Sequence, residues 1–379
     1  MSRQVKKQKI YVAMSGGVDS SVAAALLKKQ GYDVIGVFMK PWSPGEVNST
    51  LLTESCLWQK DREDAMRVAS VLDIPLLTWD FSKEYKKEVT DYMIREYKAG
   101  RTPNPDVMCN KHIKFGLFLD KALKEGADFI ATGHYVRIRP TTNNQQPTTP
   151  NKKSKKSSVV GCKLLVAADK NKDQSYFLWT LTQDQLKYCL FPIGDYTKPQ
   201  VRKLAKKFGL PTANKKDSQG VCFIGPLNIK DFLTKYIKPK KGKILDTKGN
   251  FIGHHDGVSY YTIGQRHGLD IKNGQGPYFV VKKDIKKNII YVGGEQELRG
   301  QTAKVTDLNW ISDKPKPSTK ISIKIRYRSG SVPARLTIHY PLSTIHFLKQ
   351  VRAITPGQSA VFYRGQELLG GGIITGFSQ

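Results

Sequence analysis

Acidic residues are scarce in this sequence: 32 Asp and Glu stand against 62 Lys and Arg, for a formal net charge of +30. A field of that sign attracts polyanions, and each phosphate that a basic side chain neutralises releases counterions. The imbalance favours a nucleic-acid partner, although a lysine-rich surface without any such role gives the same total. Hydrophobic residues make up 39% of the chain, which is enough for packed cores and excludes wholesale disorder.

Cysteine pairs of the CxxC type are also absent, although the chain has five cysteines: Cys56, Cys109, Cys162, Cys189 and Cys222. Their odd number and wide spacing argue against a zinc site and against a secreted disulfide framework. No apolar run approaches the roughly 18 residues needed to cross a membrane. The N-terminal segment lacks the apolar stretch of a signal peptide. We therefore expect a cytoplasmic protein with reduced thiols and no membrane contact.

The first 135 residues alternate short apolar runs with segments of helical periodicity. Strands are predicted at 9–14, 33–40, 75–81 and 128–135, with helices at 19–30, 61–72, 83–99 and 113–125. Strands that alternate with helices predict an α/β fold, here a Rossmann-like, doubly wound parallel sheet. Ligands of such sheets bind beyond the carboxyl ends of the strands.

After about residue 225, short strands are separated by Gly-rich turns, which is typical of all-β structure. Residues 320–328 alternate with period two: Ile321, Ile323 and Ile325 face one way, and Lys320, Ser322, Lys324, Arg326 and Arg328 the other. Residues 301–379 contain 11 basic and 3 acidic residues. We predict an α/β domain at 1–225, a small β-rich central domain at 226–300 and, at 301–379, a β-barrel whose cationic face suits a phosphate backbone. An ordinary solvated face would explain the same alternation.

One segment of the α/β part has a composition of its own. Residues 140–158 contain no aliphatic, aromatic or acidic residue, so nothing there offsets the entropy cost of ordering the chain. We interpret the segment as a disordered basic insertion that tolerates deletion. A role as an additional contact to RNA is the alternative.

The strongest motif is the hexapeptide Ser15-Gly16-Gly17-Val18-Asp19-Ser20, which lies between the first strand and the first helix. Glycines let backbone N–H groups approach a pyrophosphate, and the helix N-terminus adds its positive dipole end. The lysine of a Walker A loop and the GxGxxG of a dinucleotide site are both missing. The hexapeptide resembles the PP-loop of ATP pyrophosphatases, which transfer AMP to a carbonyl oxygen and release pyrophosphate.

Two further segments each contain a cysteine in polar surroundings. Residues 100–110 (GRTPNPDVMCN) lie between two predicted helices, and residues 217–225 (DSQGVCFIG) end the α/β part. Two prolines in the first segment favour an extended loop that exposes Asp106 and Cys109 rather than burying them. In such segments a thiolate of Cys109 or Cys222 could be reached by a second sulfur.

The order and spacing of these motifs resemble the tRNA-specific 2-thiouridylase family. The resemblance rests on SGGVDS, VFMKPW at 37–42, GRTPNPDVMCN, ATGHY at 131–135, KDQSYFLW at 172–179 and DSQGVCFIG. It spans essentially the whole chain except residues 140–158. Arg326-Tyr327-Arg328 and Pro356-Gly357-Gln358 also look like parts of that family's RNA-contacting barrel, although the second of these is a weak signal by itself.

The resemblance implies a role for each matching residue. It implies an ATP phosphate site at Ala13, Met14, Ser15, Gly16, Gly17, Val18, Asp19 and Ser20, with Asp19 helping to hold Mg²⁺. It implies an adenosine pocket lined by Met39 and Gly133. It implies target-uridine contacts from Asn104, Pro105 and Asp106, the last as general acid/base. It implies tRNA contacts from His134, Lys172, Asp173, Gln174, Arg326, Tyr327 and Gln358.

The resemblance also implies the sulfur chemistry. Cys222 would accept a persulfide from a cysteine desulfurase or a sulfur-relay protein, and Cys109 would be the second thiol. ATP would adenylate the C2 oxygen of the wobble uridine in glutamate, glutamine and lysine tRNAs. The persulfide could then attack directly, or Cys109 could displace hydrosulfide. Both routes end in a Cys109–Cys222 disulfide, so at least one loop has to move.

Other functions remain open at this point. An amidating PP-loop ligase would need neither the paired cysteines nor the basic β-rich part. A non-catalytic RNA-binding protein would leave the loop idle, and a methyltransferase would need a glycine-rich adenosylmethionine loop that is missing. We assign no role to Cys162 and Cys189, which lie in or near apolar runs. His254, His255 and His267 lack metal-ligand spacing, and we expect solvated turn histidines there.

Overall fold

The computed structural model describes residues 7–43, 57–141, 161–217, 229–271, 274, 276–316 and 319–378. Its strands are β1 (Lys9–Ala13), β2 (Asp33–Lys40), β3 (Leu76–Asp80), β4 (Phe129–Ala131), β5 (Val136–Pro140), β6 (Cys162–Val166), β7 (Cys189–Leu190), β8 (Gly242–Asp246), β9 (Phe251–His255), β10 (Phe279–Asp284), β11 (Ile289–Gly293), β12 (Arg299–Trp310), β13 (Lys320–Lys324), β14 (Val332–Thr337), β15 (Ser343–Arg352), β16 (Ser359–Arg364) and β17 (Glu367–Ser378).

The described helices are mostly short. The α-helices are α1 (Val18–Lys29), α2 (Leu57–Leu72), α3 (Ser82–Tyr85), α4 (Asp91–Lys98), α5 (Pro105–Met108), α6 (Phe118–Lys124), α7 (Gln183–Leu186), α8 (Lys198–Lys207) and α9 (Ile229–Thr234). Two π-helical segments are Lys86–Thr90 and Cys109–Leu117, and short 3₁₀ turns are Ser175–Leu178, Val258–Tyr260 and Gln296–Leu298. Within the described ranges, no helix is both long enough and apolar enough to cross a membrane.

A parallel sheet organises the N-terminal part, with strand order β3-β2-β1-β4-β7. Both of its faces are covered, because neighbouring residues of β1 belong to different cores. Ile10 and Val12 pack with α1 and α2, whereas Tyr11 packs on the opposite side with residues of α4 and α6. The predicted doubly wound parallel sheet is confirmed. The predicted last strand is shorter than expected, since β4 ends at Ala131 and residues 132–135 form a loop.

The segment that contains Cys109 is helical, so the predicted extended loop over 100–110 is wrong beyond Asn104. Asn104 caps α5, because its Oδ1 accepts a hydrogen bond from the Val107 N–H at 3.3 Å. Pro105 follows as the first helical residue, where its fixed φ and missing N–H suit a helix start. Helical structure then continues through the π-helical segment into α6, well before the predicted start at 113.

The second half of the chain is built from β-strands, as predicted. A four-stranded sheet of order β10-β11-β8-β9 comes first. The remaining six strands form a closed antiparallel barrel of order β12-β15-β14-β13-β16-β17, in which β17 pairs back to β12. Ile321, Ile323 and Ile325 are buried in its core, as the alternation predicts. The strand is shorter than 320–328, because β13 ends at Lys324 and a turn follows.

The barrel sheet extends into the N-terminal part of the chain. The hairpin β5–β6 joins it through pairing of β6 with β17, where Leu165 lies opposite Glu367. The N-terminal part and the barrel therefore share one hydrogen-bonded sheet. Residues 142–160, which include most of the predicted insertion, lie outside the described residues.

Candidate active site

The glycine-rich loop connects β1 to α1 at the carboxyl edge of the parallel sheet. Gly16 has φ +69°, and a Cβ at this position would lie 2.0 Å from the Asp61 carbonyl oxygen. The Ser15 N–H donates to Ser20 Oγ at 3.2 Å, which folds the loop back onto the first turn of α1. Backbone N–H groups and a helix N-terminus gathered in this way suit a pyrophosphate.

The two residues expected at the adenosine pocket lie on neighbouring strand ends. Gly133 follows β4 and touches the loop directly, since a Cβ there would lie 2.6 Å from the Ser20 nitrogen. Met39 is buried near the end of β2, two residues beyond Val37, which pairs with Ala13. The fold therefore brings both residues to the same edge of the sheet as the loop.

Residues 132–135 connect the glycine-rich loop to the other motifs. The Tyr135 hydroxyl donates to Asp19 Oδ1 at 2.8 Å. The Tyr135 N–H donates to Gln174 Oε1, and the Gln174 N–H donates to the Tyr135 carbonyl oxygen, both at 2.9 Å. The ring of His134 packs 5.8 Å from that of Phe115, in the π-helical segment that begins at Cys109.

His134 is buried. Burial, assisted by the nearby charge of Lys114, lowers the pKa of His134 well below its ordinary value. Its Nδ1 lies 2.8 Å from Thr132 Oγ1. The His134 ring packs between the rings of Phe115 and Phe191, and the tRNA contact that the resemblance implies for it stays a prediction.

A network of ion pairs lies beside the loop, and no sequence pattern predicted it. Lys198 Nζ lies 2.8 Å from both oxygens of Asp19 and 2.9 Å from Asp217 Oδ1. Asp217 is also paired with Lys172 and Arg202. Burial alone would raise the pKa of Asp217, but hydrogen bonds from Lys172 and Lys198 outweigh it and lower the pKa to about 2. Asp19 and Lys198 are far apart in the chain, so no local pattern connects them.

A second lysine binds the outside of the loop. Lys215 Nζ donates to the Gly16 carbonyl oxygen at 3.0 Å and pairs with Asp61 at 2.7 Å and Asp64 at 2.6 Å. It therefore fixes the glycine-rich loop to α2 and to the segment that leads toward Cys222. Cys222 itself and residues 218–228 lie outside the described residues.

Cys109 is buried, with 1% of its surface exposed, so the expectation of an exposed thiol is wrong. It begins the π-helical segment that follows α5, where its side chain joins the larger hydrophobic core. Asp106 lies one turn earlier and is partly exposed. In this structure the Cys109 side chain is therefore not accessible to a second sulfur from solvent.

Three family models match consecutive parts of the chain, one for each predicted domain. Residues 8–226 match the family model "tRNA methyl transferase HUP domain", residues 230–294 its PRC-barrel domain, and residues 300–374 "Aminomethyltransferase beta-barrel domain". The chain is similar to "tRNA-specific 2-thiouridylase MnmA 2" of Geobacillus kaustophilus, with 47% identity over 99% of this chain and 96% of that protein. It is also similar to "tRNA-specific 2-thiouridylase MnmA" of Lacticaseibacillus paracasei, with 48% identity over 97% and 94%.

This chain belongs to the tRNA-specific 2-thiouridylase family. The resemblance inferred from the motifs is thereby confirmed. The description of the first family model mentions methyl transfer, but both full-length relatives bear the thiouridylase name. The glycine-rich loop described above is also of the type that binds a pyrophosphate rather than adenosylmethionine.

Several residues for which this family resemblance implied tRNA contacts point into the protein. Arg326 is the clearest: one guanidinium nitrogen donates to the carbonyl oxygens of Ile263 at 2.8 Å and Ala353 at 3.2 Å, and to Thr355 Oγ1 at 2.7 Å. Burial, with the repulsion of Arg352, lowers the pKa of Arg326. The predicted alternation of a cationic face is therefore wrong at this position, because the strand has already ended.

Asp173 is also internal in this thiouridylase. Its Oδ1 accepts hydrogen bonds from the N–H groups of Ala167 at 3.1 Å and Ser175 at 3.3 Å. The Ser175 hydroxyl donates to Oδ2 at 2.9 Å, and Lys324 lies 3.3 Å away. The carboxylate is saturated with internal partners and shapes the turn before the Ser175–Leu178 segment.

Tyr327, by contrast, packs against Phe177 of the KDQSYFLW segment. Its ring is 4.4 Å from that of Phe177. Burial raises the pKa of Tyr327, and the negative charges of Asp173 and Asp106 contribute to that increase. The barrel thus contributes an aromatic side chain that packs on Phe177, whose carbonyl oxygen accepts a hydrogen bond from Asn110 in the helical run of Asp106 and Cys109.

The three histidines of the central part do not behave alike. His255 is buried in β9, where its Nδ1 accepts a hydrogen bond from the Gly257 N–H at 3.0 Å, so the expectation of a solvated turn histidine is wrong for it. His254 and His267 are exposed. Among the described residues, no group of three or more His, Cys, Asp or Glu side chains could hold a metal ion.

Proposed function

We propose that this protein is a tRNA-uridine 2-sulfurtransferase that converts the wobble uridine to 2-thiouridine, with AMP and pyrophosphate as the other products. One observation carries the proposal: residues 132–135 touch the glycine-rich loop on one side and the helix of Cys109 on the other. An adenylation site and a thiol are therefore part of one packed unit, which a sulfur-transferring PP-loop enzyme needs.

The first step is adenylation of the base. Residues Ala13–Ser20 hold the ATP phosphates through backbone N–H groups, and Met39 and Gly133 line the adenosine pocket. The uridine C2 oxygen attacks the α-phosphorus, and pyrophosphate leaves. Lys198 and Lys215, which lie at opposite ends of the loop, lower the cost of gathering negative charge there.

The site offers Mg²⁺ a carboxylate beside the bound phosphates, which is the usual arrangement for nucleotide-bound Mg²⁺. It binds through one or two carboxylates plus substrate phosphates and keeps several waters. Asp19, at the start of α1, is the carboxylate for this role, and its pairing with Lys198 would have to be shared with the metal. When bound, the ion neutralises charge on the phosphates.

The target uridine meets Asn104, Pro105 and Asp106, and Asp106 is the general acid/base beside it. The base must leave its stack to reach this position. Among the residues implied to contact tRNA, the side chains of Lys172, Gln174, Arg326, Tyr327 and Gln358 are partly exposed. His134 and Asp173 are buried and support the site from inside.

Sulfur transfer follows, with Cys222 as the persulfide carrier. In one route the terminal sulfur of the Cys222 persulfide attacks C2, AMP leaves, and Cys109 then attacks the Cys222 sulfur to release 2-thiouridine. In the other, Cys109 attacks first and displaces hydrosulfide, which attacks C2. Both routes leave a Cys109–Cys222 disulfide, which an external thiol reductant must reduce.

The partners follow from this chemistry. A cysteine desulfurase or a sulfur-relay protein supplies the persulfide, and the substrates are the glutamate, glutamine and lysine tRNAs. The protein acts in the cytoplasm. The three domains are bounded at 1–225, 226–300 and 301–379.

A mercury-gel mobility shift tests the proposal. Unmodified glutamate tRNA is incubated with the protein, Mg²⁺-ATP and a persulfide-loaded cysteine desulfurase. We expect an ATP-dependent retarded band that is lost when the wobble uridine is replaced by cytidine. Pyrophosphate release without any retarded band would contradict sulfur transfer and would favour a PP-loop ligase that acts on a small molecule.

A further inference from the structure

The barrel holds the loop that precedes the target-base residues. The Thr102 N–H donates to the Pro356 carbonyl oxygen at 2.9 Å. The Gln358 side-chain nitrogen donates to two consecutive carbonyl oxygens, those of Thr102 and Pro103, each at 3.0 Å. Gly357 packs so closely that a Cβ there would lie 2.7 Å from the Thr102 oxygen. Residues 356–358 therefore contact this loop through backbone and side chain together.

The next barrel residue holds the KDQSYFLW segment. The Tyr176 hydroxyl donates to the Ser359 carbonyl oxygen at 2.9 Å, and Trp179 Nε1 donates to Ser359 Oγ at 3.0 Å. The start of β16 thus binds the segments on both sides of the site.

The central domain contacts the same loop from another direction. Thr102 Oγ1 lies 3.0 Å from Thr262 Oγ1. Gly100, with φ +75°, packs against Ile285, whose Cδ1 would be 2.0 Å from a Cβ at that glycine. Both β-domains therefore determine where this loop lies relative to the parallel sheet.

The position of this loop sets the position of the reacting groups. Asn104 caps α5 immediately after the held residues, and Asp106 and Cys109 follow within the same helical run. Two backbone carbonyls that lose their donor would be left in a partly buried site, which favours a shift of the loop. A shift of about 1 Å in reacting groups costs on the order of 100-fold in rate.

From these contacts we infer that Gln358 is a positioning residue for uridine activation, which acts by donating hydrogen bonds to Thr102 and Pro103 and not by contacting RNA. The inference rests on the proposed function for its kinetic consequence only. The hydrogen bonds of Gln358 to Thr102 and Pro103 are present in the protein without tRNA.

The variants Gln358→Glu and Gln358→Ala test it, with Gln350→Ala as a control on exposed β15. Glutamate is nearly isosteric but its carboxylate cannot donate to carbonyl oxygens. We expect the thiolation kcat at saturating tRNA to fall about tenfold in both variants, with the Kd for tRNA within about twofold. Hydrogen exchange of the Thr102 amide in the free protein should accelerate. The control should match the parent protein in all three measurements.

A tenfold rise in the Kd for tRNA with unchanged kcat would overturn the inference and make Gln358 an RNA contact. Unchanged Thr102 exchange in both variants would overturn it as well. Because exchange is measured without tRNA, it tests the positioning contact even if the parent protein fails to thiolate. Such a failure would concern the proposed function alone.

If the Gln358 variants do not fold, Thr262→Val provides a second test. It removes the hydroxyl that contacts Thr102 from the central domain and should lower kcat in the same way. An unchanged kcat would then contradict the inference.

Discussion

The glycine-rich loop and the barrel were both expected to meet phosphates, yet they are built in opposite ways. The loop is contiguous in sequence, and its functional groups are backbone N–H groups whose geometry depends on glycines such as Gly16. In the barrel, two of the residues expected at the RNA, Arg326 and Gln358, donate hydrogen bonds to carbonyl oxygens of other domains. Motifs that act through the backbone can therefore be located from sequence, whereas the partner of a long polar side chain cannot.

The largest expected effect breaks the loop itself. We expect Gly16→Ala to reduce tRNA-dependent pyrophosphate release by roughly 10³-fold, because the new Cβ would lie 2.0 Å from the Asp61 carbonyl oxygen. Gly126→Ala is the matched control: its φ is also positive, at +82°, but nothing lies within 4 Å. It should cost about 1–2 kcal/mol of stability and leave activity intact. An active Gly16→Ala protein would contradict a phosphate role for the loop.

The next effect separates the two half-reactions. Cys109→Ser should abolish persulfide-dependent thiolation, with a loss of about 10³-fold or more, while pyrophosphate release continues. Cys222→Ser should do the same. Cys162→Ser, which changes a partly buried thiol that we assign no role, is the control. Mercury gels and a pyrophosphate assay on the same samples give both readouts, and normal thiolation by either of the first two variants would sink the assignment.

A smaller effect tests the ion network beside the loop. Lys198→Ala should raise the KM for ATP by about tenfold or more, because Asp19 and Asp217 lose their shared cation and repel the phosphates. Lys187, whose ammonium pairs with Asp184 on the surface, provides the control as Lys187→Ala. Equal KM values for the two variants would mean that the network only stabilises the fold.

Two neighbouring arginines sharpen the comparison within the barrel. Arg326→Ala should lower stability by about 2 kcal/mol, because it removes hydrogen bonds to three acceptors, and leave the salt dependence of tRNA binding unchanged. Arg328 is exposed beside the Tyr327 ring. Arg328→Ala should instead reduce the slope of log K against log salt by about 1, with little change in stability. A smaller salt slope for Arg326→Ala with unchanged stability would show instead that Arg326 contacts RNA.

The smallest effect concerns the central domain, where burial lowers the pKa of Lys283 from 10.5 to about 8. Between these values the unfolded chain binds more protons than the folded one, so this group's contribution to stability rises with pH across that window. Lys283→Met should therefore be more stable than the parent protein by about 1 kcal/mol at pH 7. The difference should shrink toward pH 10 in denaturant titrations. A gain that is independent of pH would point to packing instead.

Helix and strand boundaries illustrate how far local pattern extends. β1, β2 and α1 lie within a residue of their predicted ranges, because apolar periodicity and flanking glycines are local signals. The interpretation of 100–110 as a loop was wrong beyond Asn104, because Asn104 and Pro105, residues that can also belong to a loop, here begin a helix as its cap and first residue. The wrong expectation that Cys109 is exposed followed from that error.

The sequence by itself determined the parallel sheet, the glycine-rich loop, the β-rich second half and the family to which the chain belongs. Glycine dihedrals and hydrophobic periodicity act over a few residues, so they survive without knowledge of the fold. Only the tertiary structure decided that Cys109 is buried, that Lys198 binds Asp19, and that Gln358 holds Thr102. These partners are separated by long stretches of chain, and packing between domains alone brings them within hydrogen-bonding distance.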